Sequence, residues 1–249
     1  MSGGCTGHSH DHDHEDQLGL SLQKYIDIPQ TYCLNEHVSG AGQAVLKPYS
    51  DRLTTEPSLQ SPRDDDDLEL LMHIPFTEAI KIQSISISGR ASIYIPNGDD
   101  SNATSAPFSV KVFANRSDLD FEMARDLEPD VLVELLPPEH LAEIQSRTQT
   151  SDEELGLGTL DYPLRPASKF KFCNSITLFF ADNFASKLAE AEDNDPDDII
   201  PTEITYIGFK VEGMGVKRVA VDAVYETRGM MKDHTVPEGE FGAESKPGI

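Results

Sequence analysis

The feature that most constrains this chain is a series of short apolar runs with a period of two. Phe108, Val110 and Val112 alternate with Ser109 and Lys111, and Ile176, Leu178 and Phe180 repeat the spacing. Ile207 and Phe209 continue to Val211, and Val219, Val221, Ala223 and Tyr225 form a last such face. Successive side chains of an extended strand point to opposite sides, so each run lays its apolar residues on one face of a sheet. Ile80-Lys-Ile82 and Ile85-Ser-Ile87 alternate with opposite parity. A one-residue shift exchanges faces, so a β-bulge is expected near Gln83 or Ser84. Phe170 and Phe172 read as inward residues leading into Ile176, and Ile93 with Ile95 and Val131 with Val133 as weaker strands. Pro, Gly, Asn and Asp separate the runs. Roughly eight strands with sparse helix predict an all-β fold, an antiparallel sandwich of two sheets. Short helices are expected only at 140–149, after Pro137-Pro138, and at 184–193.

The polar stretches limit where a core can form. Residues 1–19 are mostly Gly, His, Asp and Ser, and 229–249 are similarly poor in apolar groups. Neither can bury enough apolar surface to offset the entropy of ordering, so both are expected to be disordered tails around a domain at 20–228. The formal charge is -24, from 20 Lys and Arg against 44 Asp and Glu. Phosphate backbones and anionic membrane surfaces are repelled by such a chain, so neither nucleic acid nor membrane is an expected partner, whereas a basic protein surface is attracted. Three cysteines, Cys5, Cys33 and Cys173, make an odd number without metal-binding spacing. They read as reduced thiols, and with no apolar leader the expected location is cytoplasm and nucleus. The sequons at Asn102 and Asn115 carry no meaning there, and nothing in the sequence sets an oligomeric state.

One stretch invites a metal. GHSHDHDHED, residues 7–16, places His8, His10, His12 and His14 on one side of an extended chain. Neutral imidazoles bind zinc, nickel or copper. Ordering seven residues costs on the order of 7–14 kcal/mol at ~1–2 each. A good structural zinc site returns ~10–16 kcal/mol with better ligands. The two nearly cancel, so weak, exchangeable binding is expected and a catalytic or structural metal is not. The acidic run from Asp193 places Asp193, Asp195 and Asp197 at EF-hand positions 1, 3 and 5, but Asp198 replaces the required Gly and Ile204 the required Glu. It reads as a solvated loop. Asp64 to Asp67 read the same way, ahead of an apolar run that contains His73. His73 is expected to be a satisfied core or boundary residue, and Cys33 and Cys173 inert packing groups. No GxSxG, P-loop, HExxH or dinucleotide fingerprint occurs, so no catalytic or cofactor-binding residues are assigned and a non-enzymatic module is expected.

Several strings carry a resemblance. They are Cys33-Leu-Asn-Glu36, Leu46-Lys-Pro48, Leu70-Leu-Met-His-Ile-Pro-Phe-Thr77 leading into Ile80-Lys-Ile82, Val110-Lys-Val-Phe-Ala-Asn115 and Leu119-Asp-Phe-Glu122. Tyr162-Pro-Leu164, Lys169-Phe170 and Thr205-Tyr-Ile-Gly-Phe209 complete the set. On these the chain resembles the PITH domain family across roughly residues 20 to 228. The thioredoxin part with its CxxC, found in some family members, is absent, so the chain is similar to the single-domain kind. Residues 137–160 look longer than usual, and 186–201 add an acidic loop. The resemblance implies a jelly-roll β-sandwich similar to galactose-binding-like domains. It also implies a protein-interaction module that associates with the proteasome as adaptor or regulator. The alternatives left open are a sandwich that binds a small sugar-like ligand and a metal-buffering protein acting through the histidine tail.

Overall fold

The computed structural model describes residues 21–63, 67–90, 103–138, 140, 161–191 and 200–210. Nine strands form two sheets. They are β1 (Tyr32–Leu34), β2 (Leu59–Gln60), β3 (Leu70–Ile80), β4 (Ser84–Gly89), β5 (Ser109–Ala114), β6 (Val131–Glu134), β7 (Asp161–Pro163), β8 (Cys173–Phe180) and β9 (Glu203–Lys210). The five-stranded sheet has the order β1-β3-β8-β5-β6 and the four-stranded sheet β2-β9-β4-β7. Every pairing between these strands is antiparallel. Among the described residues three short α-helices accompany them, α1 (Ala41–Ala44), α2 (Phe121–Asp126) and α3 (Phe184–Ala191).

The alternation explains the main core. Leu70, Met72 and Ile74 of β3, Val110 and Val112 of β5, and Ile176, Leu178 and Phe180 of β8 face Ile85 and Ile87 of β4 and Ile207 and Phe209 of β9. Most are fully buried, and each large side chain removed from water contributes about 1.5–3 kcal/mol. A second, smaller core lies on the outer face of the five-stranded sheet. There Leu71, Phe113 and Phe179 are covered by Leu119 and Ala124, with Phe121 and Met123 at its margin. α2 starts where the Asp120 carboxylate accepts the Met123 N–H at 2.8 Å. It ends where the Lys111 ammonium meets the Ala124 and Arg125 carbonyls at 3.0 and 2.7 Å, a cation on the helix's last acceptors.

Two expectations need correction. The parity change between Ile82 and Ile85 is not a bulge in one strand. β3 ends at Ile80 in one sheet and β4 begins at Ser84 in the other, and residues 81–83 cross between them. Each strand turns its own apolar face inward, and facing sheets read as opposite parity. The ladder irregularities lie elsewhere, between Pro75 and Ile80 and between Ser88 and Gly89. Phe170 and Phe172 are not an inward pair on a strand. Phe170 is fully buried in the turn before β8, while Phe172 is 75% exposed. The alternation of β8 breaks beside an irregularity in its pairing with β3: Pro75 pairs with Ser175, yet Ile80 pairs with Cys173. Five residues of one strand pass two of the other, Cys173 takes the inward place, and Phe172 is turned out.

β1, β2 and β7 were not foreseen, and the observed α3 matches the start of the expected 184–193 helix. Ile93, Ile95, Val211, the 219–225 run and all of the 140–149 helix except His140 lie outside the described residues. So do the residues that begin and end the chain. The first described residue, Ser21, pairs antiparallel with the last, Lys210, and Leu22 N–H donates to the Phe209 carbonyl at 3.0 Å.

Candidate interaction surface

An antiparallel sandwich gathers its connections at two ends. At one end lie the connections β2 to β3, β4 to β5, β6 to β7 and β8 to β9; at the other lie β3 to β4, β5 to β6 and β7 to β8. The two sets differ in charge. The first four connections carry 19 Asp and Glu against 4 Lys and Arg, and the other three carry 6 against 6. Strand order thus assigns the acid-rich connections to one end; of their 19 acids, Asp67, Glu69, Asp182 and Glu190 are among the described residues, and Arg125 of the β5 to β6 connection pairs with Asp67 and Glu69.

Beneath that end the strands are tied by buried polar side chains. Glu203 opens β9 with no solvent exposure. Its carboxylate accepts from the Thr104 hydroxyl, from Gln60 Nε2 at 3.2 Å and faces Arg90 Nε at 3.4 Å. Arg90 also reaches the exposed Glu56 carboxylate at 2.9 Å. Gly89 permits this approach: a Cβ there would sit 2.6 Å from the Glu203 carbonyl oxygen and 2.7 Å from the Ala106 Cβ. Beside it Asn183, also fully buried, donates through Nδ2 to the Ile200 carbonyl at 2.8 Å and to the Thr202 hydroxyl at 3.2 Å. Its Oδ1 accepts the Ser186 N–H at 2.9 Å, which caps α3. Ser61, Thr202 and Ser105 complete the mesh through Thr202 N–H to Ser61 Oγ and Ala185 N–H to Ser105 Oγ, both 3.0 Å. A buried polar group costs free energy unless paired, and these are paired with one another across three of the connections, β2 to β3, β4 to β5 and β8 to β9.

The opposite end is built differently. Phe170 plugs the core, and its carbonyl accepts the Ile82 N–H at 2.9 Å. Asn115 holds the next residues, donating through Nδ2 to the Phe172 carbonyl at 3.0 Å and accepting the Asn174 N–H at 2.7 Å. Its φ of 57° is in the left-handed region, which Asn tolerates better than most side chains. Ion pairs at its surface join Lys169 to Asp130 at 2.6 Å, Arg116 to Asp118 at 2.7 Å, and Lys210 to Asp161.

The residues singled out in the sequence fall as follows. His8, His10, His12 and His14 lie outside the described residues, as do Asp193, Asp195, Asp197 and Asp198 and three of the four aspartates at 64–67. His73 is buried on the outer face of the five-stranded sheet. Its Nδ1 is 2.9 Å from the Thr177 hydroxyl, which itself donates to the Arg116 carbonyl. The hydroxyl's proton being committed, the imidazole donates from Nδ1, which assigns the neutral Nδ1–H tautomer. Desolvation lowers the His73 pKa below its ordinary value, and the Tyr32 ring packs 5.2 Å from it. Burial raises both thiols, Cys173 to about 11 and Cys33 further, so neither is a thiolate at neutral pH. Among the described residues no cluster of three or more His, Cys, Asp or Glu could hold a metal. No helix among them is long and apolar enough to cross a membrane. The Glu203 mesh was missed because its members are far apart in sequence.

Solved structures with related shapes include the paired CBM32 domains of Clostridium perfringens ZmpB. Their TM-score is 0.42 at 11% identity, covering 84% of this chain and 40% of that one. The C-terminal domain of a chitobiase from Bacteroides fragilis scores 0.39 at 14% identity, covering 76% and 96%. The two-sheet architecture stands on its own ladders without them. Sequence comparison goes further. A Dictyostelium discoideum protein, PITH domain-containing protein 1, is 30% identical over 234 residues, 94% of either chain. Proteins of the same name from Danio rerio and Homo sapiens are 34% and 27% identical, covering 88% and 94% of this chain and 85% and 90% of their own. The model of the PITH domain matches residues 12–229, and the chain belongs to the PITH domain family.

Proposed function

We propose that this protein is a non-catalytic interaction module that associates with the proteasome as an adaptor or regulator, in the cytoplasm and nucleus. The observation that carries the reading is a sequence count placed by strand order: the four connections assigned to one end hold 19 acids against 4 bases, and described residues of three of them meet in a mesh of buried side chains. A frame of this kind presents a charged surface without needing a reactive group, and binding residues sit disproportionately on loops held by rigid scaffolds. Such a surface favours a partner with a basic face and sets the rate of encounter with it. The proteasome as that partner is what the resemblance to the family implies, and no contact geometry bears on it.

The test is co-sedimentation of the purified full-length chain with purified 26S proteasomes at 50 and 300 mM salt. Expected is retention at low salt and a several-fold loss at high salt, because exposed charges are screened beyond a Debye length of about 10 Å at 0.1 M. No retention at either concentration would overturn the proteasome assignment. Retention that ignores salt would remove the acidic end from the interaction.

A further inference from the structure

We propose that the connection between β7 and β8, residues 164–172, is a second docking surface, and that it takes an acidic peptide segment of a partner protein that carries an apolar side chain. The inference rests on the interaction-module reading and assigns to it a separate site, at the end of the sandwich opposite the acidic connections.

Three observations converge there. Phe172 is 75% exposed, the highest value among the large apolar side chains described. Its backbone is nevertheless fixed, by Asn115 on the Phe172 carbonyl and the Asn174 N–H and by the buried Phe170 two residues before. An aromatic held outward on a rigid backbone loses little conformational freedom on binding, and aromatics and arginine are the residues that dominate interface energies. The connection also carries Arg165, Lys169 and Lys171 and no acid. Lys169 is engaged by Asp130. Arg165 and Lys171 are exposed and have no hydrogen-bond or carboxylate partner among the described residues. In a chain with 44 acids and 20 bases, two uncommitted cations beside an outward aromatic are a local exception that charge complementarity turns toward an acidic occupant.

The overall charge of -24 does not defeat this. The eight residues of β8 separate the two ends by about 26 Å at ~3.3 Å per residue. That is about three Debye lengths at physiological ionic strength, ~8 Å each. The tip therefore acts through the charges of its own end, where the six bases of the three connections are matched by the six acids of the β5 to β6 connection and Asp130 takes up Lys169. An anionic lipid surface offers the same sign, but it would meet the rest of this acidic molecule as well. A peptide meets the tip alone.

The probe is a fluorescein-labelled peptide of glutamates flanking one central leucine, titrated by anisotropy with the full-length chain. A scrambled lysine peptide is the control. Saturable binding is expected at low salt and weakening at high salt. Phe172→Ala should weaken it about tenfold, the loss expected of an interface anchor. The double variant Arg165→Glu, Lys171→Glu should abolish it. Both variants should keep the wild-type thermal midpoint, which separates lost binding from lost folding. Unchanged affinity in both variants, or no binding of the glutamate peptide, would overturn the proposal. So would retention on phosphatidylserine vesicles that depends on Phe172 more strongly than peptide binding does. Co-sedimentation with proteasomes is measured in parallel. If the chain co-sediments but the peptide does not bind, this surface falls and the module reading stands. If the peptide binds through Phe172 while co-sedimentation fails, the surface stands and the proteasome assignment falls.

Discussion

The two ends of the sandwich solve one structural problem with different materials. At the acidic end, connections are fastened by side chains with no exposure: Glu203 bonds to Gln60 and Thr104, Ser61 and Ser105 accept N–H groups from the β8 to β9 connection, and Asn183 ties the two ends of that connection together. At the opposite end the fastening is an apolar plug, Phe170, with backbone bonds and ion pairs at the surface. Buried polar groups are costly when half-satisfied, and surface pairs contribute about 0–1 kcal/mol each. The first arrangement therefore cannot lose a member cheaply and the second can. What the difference teaches is where surface residues are free to vary: the charged connections of the acidic end hang from a frame that is closed to change, whereas Arg165, Lys171 and Phe172 carry no folding duty.

That contrast can be broken in order of effect. Glu203→Ala leaves Thr104, Gln60 and Arg90 without their shared acceptor. Removing one partner of a buried pair costs about 3–5 kcal/mol. The low end is expected, because the Arg90 side chain stays 35% exposed and keeps Glu56. Urea denaturation measures it, and a loss below about 1 kcal/mol would mean the mesh does not hold that end. Asn183→Ala removes the α3 cap and the bonds to Ile200 and Thr202, with about 2 kcal/mol expected from cap and unsatisfied-group costs together.

His73, in the middle of the sheet, sharpens the comparison through pH. Its folded pKa lies below the unfolded value, so the unfolded chain binds the proton first. Stability from this residue is constant above about pH 6.5, the unfolded value, and falls as pH drops from there toward the lowered folded value. Unfolding free energy of wild type and His73→Gln, compared from pH 8 to 5, should show a steeper acid loss in the wild type. Parallel curves would remove His73 as the cause. Smallest of all is Phe172→Ala, for which a stability change within about 0.5 kcal/mol is expected by thermal melting. A loss near 2 kcal/mol would show that this ring does packing work and would erase the distinction between the ends.

How much of this was legible depends on how local the signal is. The inward faces of β4, β5 and β8 could be read because Ile85 and Ile87, Val110 and Val112, and Ile176, Leu178 and Phe180 repeat their period within one strand. β2 has two residues and β1 and β7 three, too few to show a period at all. The 81–83 crossing imitates a bulge because parity alone carries no information about which sheet a strand joins. Phe172 misled for a different reason: it shares parity with Ile176, but the alternation breaks at the start of β8, where Cys173 takes the inward place. The Glu203 mesh had no local signature. Gln60 is 143 residues away and Thr104 is 99, so only the fold brings these polar groups together. The charge division between the ends was half visible, since the acidic runs are plain in the sequence while the end they share is set by strand order.

The pairing of Ser21 with Lys210 has a mechanical consequence. Ser21 and Lys210 stand at the same end of this short antiparallel pairing, beside the Leu22 to Phe209 bond. Tension between those two points opens the ladder as a zipper, one hydrogen bond after another, instead of shearing several at once. Pulled between residues 21 and 210 in an optical trap, the domain is expected to yield at low force, and its resistance is governed by the unfolding barrier along that line rather than by equilibrium stability. A load that enters the sandwich across its acidic connections would instead run along the strands, the direction in which the same molecule is strong.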